Sequence, residues 1–531
     1  MTTTASAKTL GLAAALLAGG VACTDLDLEP ETTTTPGTYF VDGDAYEASL
    51  ARVYSGLAVT GQSGPLGAAD ISSLDEGFSS YLRQYWQLQE LPTDNAVIAW
   101  ADDGLAPLQA GTWTTQNQFV RAMYYRIFFQ VSLANEFLRE SDAGRLDERG
   151  ISAADRARID DFRAEARFLR ALSLWHGVDF FGAIPLYDET QAIGGAPPQQ
   201  ASAREVFDFI LAELEAIEGE LPDVGEAEYA RADRGAALML RANLLLNAEV
   251  YVGEDRYADA LAVAEEVINS GAYELEDDYR LLFNASNHDA DGMIFPIAFD
   301  GENTQTWGGT AYLVHAAIGG SMDPLAYGVN AGWVGLRTTP GLVERFGGAE
   351  FDTSDTRAIF YTDGQNYEVN SLTAFADGYA VPKWTNLTAD GDAGSDLAHP
   401  DTDFPVFRLA EAYLTYAEAH LRGGGGSRER ALELVNAVRE RAAAEGDDDF
   451  EVEDSALTLD FLLDERQREF YWEGHRRRDL IRFGLFTGDD YLWPFKGDVP
   501  GGTALPDYRR LYPIPASEFL ANPNLTQNPG Y

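Results

Sequence analysis

The chain has 531 residues, of which 45% are hydrophobic and 12% aromatic, and this is enough apolar material for a large folded core and argues against a disordered chain. Its 86 acidic and 38 basic residues give a formal net charge of −48. Binding to a nucleic-acid backbone needs clustered Lys and Arg, so the charge argues against nucleic acid as a partner. Such a negative net charge is typical of a solvated surface, and the alternative interpretation is that it attracts cationic ligands.

The first residues of the chain form a pattern typical of exported proteins. Met1–Ala22 carries one lysine, a short apolar run from Leu10 to Leu17, and small residues directly before Cys23. This pattern predicts a signal peptide over residues 1–22, too short to span a bilayer. Cys23, the only cysteine, cannot form an internal disulfide. Its place after the cleavage site favours lipidation, and ordinary cleavage with an incidental thiol is the alternative.

The mature chain begins with a tether and a short helix. Residues 23–39 are polar, acidic and contain proline, which predicts a tether. Asp44–Leu57 then has apolar residues at helical spacing. Residues 68–115 show no sustained period but are rich in aromatic residues, so we consider this loop-rich stretch as a binding surface.

The central helix of the chain is predicted in the stretch Asp161–Pro185. Two apolar stripes at helical spacing predict that it is covered on more than one side. Ser152, with Asp155 three residues later, predicts where the helix begins. Gly182 and Pro185 predict that it ends at about residue 181. The preceding segment, 117–139, has a broad apolar face and is also predicted to be a helix.

Two pairs of helices resemble tetratricopeptide units. The first pair is 233–251 with 257–270, and the second is 407–421 with 428–444. They are separated by 272–404, a stretch with many Gly, Asn, Asp and Thr residues and no clear helical period. Loops of that length are usually functional or disordered, and the aromatic content argues against disorder.

The last helical region is highly charged. Leu459–Glu473 is predicted to be a helix, and the alternating charges of Arg466–Arg482 predict salt bridges with a structural role.

The order of these segments resembles the SusD/RagB family of outer-membrane lipoproteins, which are surface nutrient-binding partners of TonB-dependent, SusC-like transporters. The resemblance covers the whole mature chain and rests on Cys23 with 26–30, on 165–186, on 231–251 with 257–275, on 408–419 with 431–442, on 465–486 and on 511–531. Gly20 departs from the family, which usually has Leu there, and His475 and Phe483 also differ in residue type.

The resemblance implies a mainly α fold: a tetratricopeptide-like scaffold of helical pairs that carries a large, irregular, loop-rich ligand face. Residues 40–531 would form one domain. The scaffold would comprise about 40–60, 117–270 and 405–486, and the binding region about 68–115 and 272–404. The implied protein is lipid-anchored at the cell surface in the outer membrane, takes no cofactor and is not an enzyme.

A saccharide site needs exposed aromatic rings flanked by polar side chains. The loop regions supply both, although each ring could instead pack its loop against the scaffold. The candidate ligand-binding residues are Asp94, Asn95, Trp100, Trp113, Trp307, Tyr312, Tyr327 and Trp333.

Other functions have weaker support in the sequence. The six histidines lack metal-ligand spacing, and catalytic motifs such as G-x-S-x-G or a P-loop are missing. Oxygen ligands alternate in Asp390–Asp396 as in a calcium loop, but a bidentate Glu does not follow, which favours an acidic turn. A peptide ligand, or a pure interaction scaffold, remains the alternative to a glycan receptor.

Overall fold

The fold is taken from a computed structural model, which describes residues 35–65, 67–72, 74–444 and 450–531. The predicted signal peptide and the lipidation site Cys23 lie outside the described residues. At the end of the predicted tether, Pro36–Tyr39 forms a first helical turn. About 47% of the described residues are helical and the strands among them are few and short, so the prediction of a mainly α fold is confirmed.

The amino-terminal half is a set of helices packed around one long central helix. These helices are α1 Pro36–Tyr39, α2 Gly43–Ala58, α3 Tyr81–Glu90, α4 Leu105–Gln109, α5 Gln118–Glu140, α6 Ala143–Glu148, α7 Ala153–Phe181 and α8 Ala203–Ile217. All residues of α7 from 168 to 181 are buried, because α2, α5 and α8 pack against different sides of it. Ser152 caps its first turn by accepting the Asp155 N–H at 3.1 Å, and Gly182 ends it with a φ of 68°.

The two predicted helical pairs stack directly on each other. The remaining helices are α9 Arg234–Leu246, α10 Ala248–Val252, α11 Tyr257–Ser270, α12 Gly309–Ala316, α13 Pro340–Val343, α14 Leu409–Leu421, α15 Arg428–Ala442, α16 Leu459–Phe470, α17 Arg476–Arg482 and α18 Glu518–Ala521. α9 packs against α11, α11 against α14, and α14 against α15. The turn before α15 approaches α11 so closely that a Cβ on Gly424 would lie 2.6 Å from the carbonyl oxygen of Tyr257. The pairs are therefore adjacent in space although a long loop region separates them in the chain.

Three short antiparallel ribbons anchor the loop regions. They pair β1 Val97–Ile98 with β5 Leu336–Arg337, β2 Ile184–Pro185 with β3 Gln200–Ala201, and β4 Met293–Ile297 with β6 Phe404–Arg408. Single turns of 3₁₀ helix occur at Tyr279–Phe283, Asn287–Asp289, Pro324–Tyr327, Glu344–Phe346, Gly348–Glu350, Asp454–Ala456, Lys496–Asp498 and Asp507–Arg510. The β4–β6 ribbon brings together the two ends of the large loop region, and the β1–β5 ribbon joins it to the first loop region.

The charged carboxy-terminal helices lie in the interior, and ion pairs hold them there. Glu469 on α16 pairs with Arg357, Arg408 and Arg441. Burial by itself would raise the pKa of Glu469, but the three guanidinium groups outweigh that effect and lower it. Arg466 pairs with Asp479 at 2.8 Å, as expected for a structural role.

Candidate functional site

Three partly exposed indoles form one continuous aromatic surface, which we name the tryptophan platform: Trp100, Trp307 and Trp333. Trp333 lies in the middle, with its ring centroid 6.3 Å from that of Trp100 and 6.1 Å from that of Trp307. The ring planes tilt by 43° and 59° at the two contacts, so the platform bends along its length. The structure thus brings together three of the eight candidate residues, from both predicted loop regions.

Backbone pairing fixes the platform on the scaffold. The β1–β5 ribbon continues with the Ala99 N–H donating to the Gly335 carbonyl at 2.9 Å. One residue further on, the Trp100 indole N–H donates to the Trp333 carbonyl at 2.9 Å. A Cβ on Gly335 would lie 2.9 Å from the Trp100 ring, so this close approach requires glycine. Specific hydrogen bonds and a close glycine contact therefore hold the two loop segments of the platform together.

The middle of the platform carries backbone strain. Val334, next to Trp333, has a φ of 55°, which is unfavourable for a β-branched residue. Its N–H donates to the Ile318 carbonyl at 2.9 Å, and the Trp333 N–H donates to the His315 carbonyl at 2.8 Å. Strain of this kind costs about 1–3 kcal/mol and is typical of functional sites.

Two histidines that the sequence analysis did not single out for the site support the rings. His315 stacks on Trp333 with centroids 4.6 Å apart, and His399 lies 4.5 Å from Trp307. The two ring nitrogens of His315 face the carbonyls of Ala331 and Ala398 at 2.7 and 3.1 Å. Burial lowers the pKa of His315, which favours the neutral ring. Only the folded chain brings these residues together, since they are far apart in sequence.

Tyr312 was predicted to contact ligand, but the structure places it beneath the platform. Its ring is buried, with its centroid 5.8 Å from that of Trp100. On it lies the Arg83 guanidinium carbon, 4.4 Å from the centroid, in a cation–π arrangement. The hydroxyl accepts a hydrogen bond from the Gln87 amide at 3.2 Å. Tyr312 therefore supports the rings above it and has no surface for a ligand.

Asp94 and Asn95 were also predicted as ligand contacts, and the structure corrects this. Asp94 is 0% exposed and forms a two-pronged ion pair with Arg476, with both N–O distances 2.7 Å. Asn95 is 1% exposed and donates to Glu90 at 2.8 Å. The reason is that α17 and its neighbours cover this turn and use its polar groups.

The predicted ligand contact of Trp113 is also wrong, because this residue is buried. It is 1% exposed, its indole N–H donates to the Tyr531 hydroxyl at 2.6 Å, and its ring packs 4.4 Å from that of Tyr512. The carboxy-terminal segment therefore covers the ring that the sequence suggested as a binding surface.

Tyr327 is partly exposed but lies apart from the platform. It ends a single 3₁₀ turn, and its carbonyl accepts the Asn386 N–H at 2.9 Å. In the described part of the chain, no aromatic contact connects Tyr327 with the three tryptophans. Its predicted contact with ligand stays a prediction.

In the acidic turn at Asp390–Asp396, the carboxylate of Asp396 is used within the fold. Asp396 accepts the backbone N–H groups of Ala398 and His399 at 2.7 and 2.9 Å. Among the described residues, no group of three or more His, Cys, Asp or Glu side chains is arranged to hold a metal ion. The turn therefore positions His399, which lies beside Trp307.

The described residues also include a mainly apolar groove of about 650 Å³, lined by α5, by residues 191–198 and by α18. It contains none of the eight candidate residues. No helix in the described part of the chain combines the length and hydrophobicity needed to span a membrane.

Comparison with solved structures identifies the fold. Surface glycan-binding protein A of Bacteroides thetaiotaomicron, solved in complex with laminarihexaose, matches with a TM-score of 0.68 at 20% identity, over 92% of this chain and 99% of that one. A SusD-like carbohydrate-binding protein of Bacteroides fragilis matches with a TM-score of 0.71 at 19% identity, over 92% of this chain and 100% of that one. At these identities, the likeness is one of fold.

The sequence of the chain is also similar to those of known proteins. The sequence model of the SusD family matches residues 348–531. The starch-binding protein SusD of Bacteroides thetaiotaomicron is 34% identical over 98% of this chain and 98% of its own length. SusD-like protein P2 of Formosa agariphila is 27% identical over 79% of this chain and 82% of its own length. The chain described here belongs to the SusD family.

Proposed function

We propose that this protein is a surface glycan-binding protein that captures oligosaccharides or polysaccharide fragments on the tryptophan platform and delivers them to a TonB-dependent, SusC-like transporter. The observation that carries the proposal is the platform itself: three partly exposed indoles in contact in a row, supported from below by Tyr312 and His315. Family membership supports binding in place of catalysis, because members of the SusD family bind glycans and are not enzymes.

The chemistry of the platform suits sugars. A pyranose ring presents a flat face of C–H bonds that packs on an indole, while its hydroxyl groups point outward to polar partners. Polar side chains that reach solvent beside the indoles include the exposed Asn330, three residues before Trp333, and the partly exposed Gln305, two before Trp307. Apolar stacking with a few polar contacts gives modest affinity, which suits a receptor that must release its ligand.

The bend of the platform favours a glycan chain that curves. Because the ring planes tilt by 43° and 59° in succession, sugars stacked on consecutive indoles cannot all lie in one plane. A glucan whose linkages make it turn meets this geometry better than a flat ribbon. The relative named as a starch-binding protein makes an α-glucan the first ligand to test.

We propose attachment to the outer membrane through lipid on Cys23 after removal of residues 1–22. The sequence pattern at the amino terminus supports this, and several acyl chains would be enough for stable anchoring. Metabolic labelling with a fatty-acid analogue tests it. We expect label in the native protein and none in a Cys23→Ala variant, and label in both proteins would contradict the proposal.

Calorimetric titration of malto-oligosaccharides into the protein tests the proposed site. A lost aromatic stack is worth about 0.5–1.5 kcal/mol beyond the area it buries, so Trp333→Ala should weaken binding by about tenfold or more. Tyr39→Ala, which removes an exposed ring on α1, is the matched control and should bind normally. Equal affinity of Trp333→Ala and native protein would rule out the platform as the site.

A panel of peptides in the same titration distinguishes the alternatives. A peptide receptor would bind peptides and not glucans, whereas a pure interaction scaffold would bind neither.

A further inference from the structure

The three chain segments that build the surroundings of the platform are almost free of basic residues. Lys and Arg do not occur in residues 84–120, 281–336 or 384–407. The same three segments contain many acidic residues, several of them exposed. A glycan lying on the platform therefore meets loops that carry negative charge and hydroxyl, amide and aromatic groups.

One arginine, Arg83, does lie at the platform, but it faces inward. It is 7% exposed, because its guanidinium group lies against the rings of Tyr312 and Trp100, 4.4 and 5.4 Å from their centroids. One of its terminal N–H groups donates to the Gly77 carbonyl at 2.8 Å. Three of the basic residues that border these segments are buried: Arg337, Lys383 and Arg408 are 0%, 2% and 3% exposed. The other two are Arg121 on α5, which is partly exposed, and Arg280, which is exposed but lines a separate groove with Asp355 and Arg441.

Acidic groups lie at both ends of the platform. At the Trp100 end, the exposed Asp102 lies two residues after Trp100, and the exposed Asp75 accepts the N–H of Gly77, whose carbonyl accepts a hydrogen bond from Arg83. At the Trp307 end, Asp396 accepts the N–H of His399, whose ring lies against Trp307. Asp401 joins this end by accepting the Gly301 N–H at 2.7 Å. A ligand that spans the three indoles therefore has carboxylates near each of its ends.

We infer that the platform selects uncharged glycans and rejects glycans that carry carboxylate or sulfate groups, with Asp75 and Asp102 as specificity-determining residues; the inference rests on the proposed function. An anionic sugar would lie between like charges, because the three segments supply no Lys or Arg to pair with it and Arg83 faces inward. The faces of the indoles also repel it, because they carry the negative part of the aromatic quadrupole. A neutral sugar is not repelled by these carboxylates and keeps all of its contacts with the indoles.

The size of the effect follows from partly screened charges. Interactions between exposed charges extend over a Debye length of about 10 Å at 0.1 M salt and about 3 Å at 1 M. For an oligosaccharide with several carboxylates near two or more aspartates, we expect binding to be weaker by about tenfold or more at low salt. The difference in affinity between the anionic and the neutral oligosaccharide should become smaller at high salt, because salt screens the charges but does not affect stacking on the indoles.

The test compares maltoheptaose with maltoheptaose whose primary hydroxyl groups are oxidised to carboxylates, by calorimetric titration at about 0.02 M and about 0.5 M salt. We expect the oxidised glucan to bind about tenfold more weakly or worse at low salt. The ratio of the two dissociation constants, oxidised over neutral, should fall severalfold at high salt. The double variant Asp75→Asn, Asp102→Asn should reduce the ratio at low salt. The matched control Asp208→Asn, Glu215→Gln removes two exposed acids on α8 and should leave the ratio unchanged.

Each outcome has a distinct meaning. If the oxidised glucan binds as well as the neutral one at low salt, the inference is overturned and the proposed function stands. A ratio that responds neither to salt nor to the double variant also overturns it, because steric exclusion would then be the cause. If neutral glucan fails to bind at any salt concentration, the proposed function itself fails for this ligand class.

Discussion

Replacing Asp94 with Asn should destabilise the protein strongly while leaving its ligand site intact. Burial by itself raises the pKa of Asp94, but the ion pair with Arg476 outweighs it and lowers the pKa to about 2. Tyr491 donates to the same carboxylate at 2.6 Å and Gln467 at 3.0 Å. Asp94→Asn would leave a buried guanidinium group without its counter-charge.

Two estimates of the cost agree. A carboxyl group with a pKa of about 2 in the folded protein and about 3.9 in the unfolded chain contributes about 3 kcal/mol at neutral pH. Removal of one partner of a buried ion pair typically costs about 3–5 kcal/mol. The folded-state pKa is depressed, so this stability is present above about pH 4 and is lost as the pH falls toward 2.

Urea denaturation at pH 7 and pH 3, together with titration of glucan, measures both parts of the prediction. We expect Asp94→Asn to lose about 3–5 kcal/mol at pH 7 and clearly less at pH 3, with glucan affinity within about twofold of the native protein. The control is Asp103→Asn, an exposed acid in the same loop region, which should change stability by less than about 0.5 kcal/mol. If Asp94→Asn were as stable as the native protein but bound glucan poorly, Asp94 would be a ligand contact and our structural argument would be refuted.

Three further changes test the fold around the site. Burial raises the pKa of Glu90 to about 7, so the stability that this group contributes should be lost as the pH rises from about 4 to 7. Relative to the native protein, Glu90→Gln should remove this part of the pH dependence in urea titrations across that range. Gly335→Ala would push against the Trp100 ring and should weaken glucan binding severalfold without a ligand contact being removed; unchanged affinity would show that the ring has room to move. Ser202→Ala removes the capping box with Glu205 and should cost about 1 kcal/mol in thermal or urea unfolding, with binding unaffected.

The sequence was sufficient for the helical scaffold because helix signals are local. The apolar stripes of 161–181, its Ser152 cap and its Gly182 end lie within about thirty residues of one another, and all are found as predicted. The two helical pairs were likewise recognisable from small residues at helical spacing. The sequence could not show that α11 and α14 stack, because that contact joins segments separated by the large loop region.

The candidate site was predicted only in part, because exposure is decided by distant segments. Trp100 and Trp333 meet through a hydrogen bond between residues 233 positions apart, whereas Trp113 is covered by Tyr531 from 418 positions away. Aromatic residues in an irregular loop look the same in the sequence in both cases. The polar residues were misassigned for the same reason, since the partner of Asp94 is 382 positions away.

The sequence by itself determined that this chain is a mainly α protein of paired helices with aromatic-rich loops and a family signature, because periodicity, caps and residue order are properties of short segments. Only the tertiary structure decided which rings reach solvent, which carboxylates are neutralised inside, and which charges surround the platform. Each of these properties depends on contacts between residues that are hundreds of positions apart in the sequence. Such contacts decide whether a side chain is buried, and therefore whether it can bind a ligand or instead stabilises the fold.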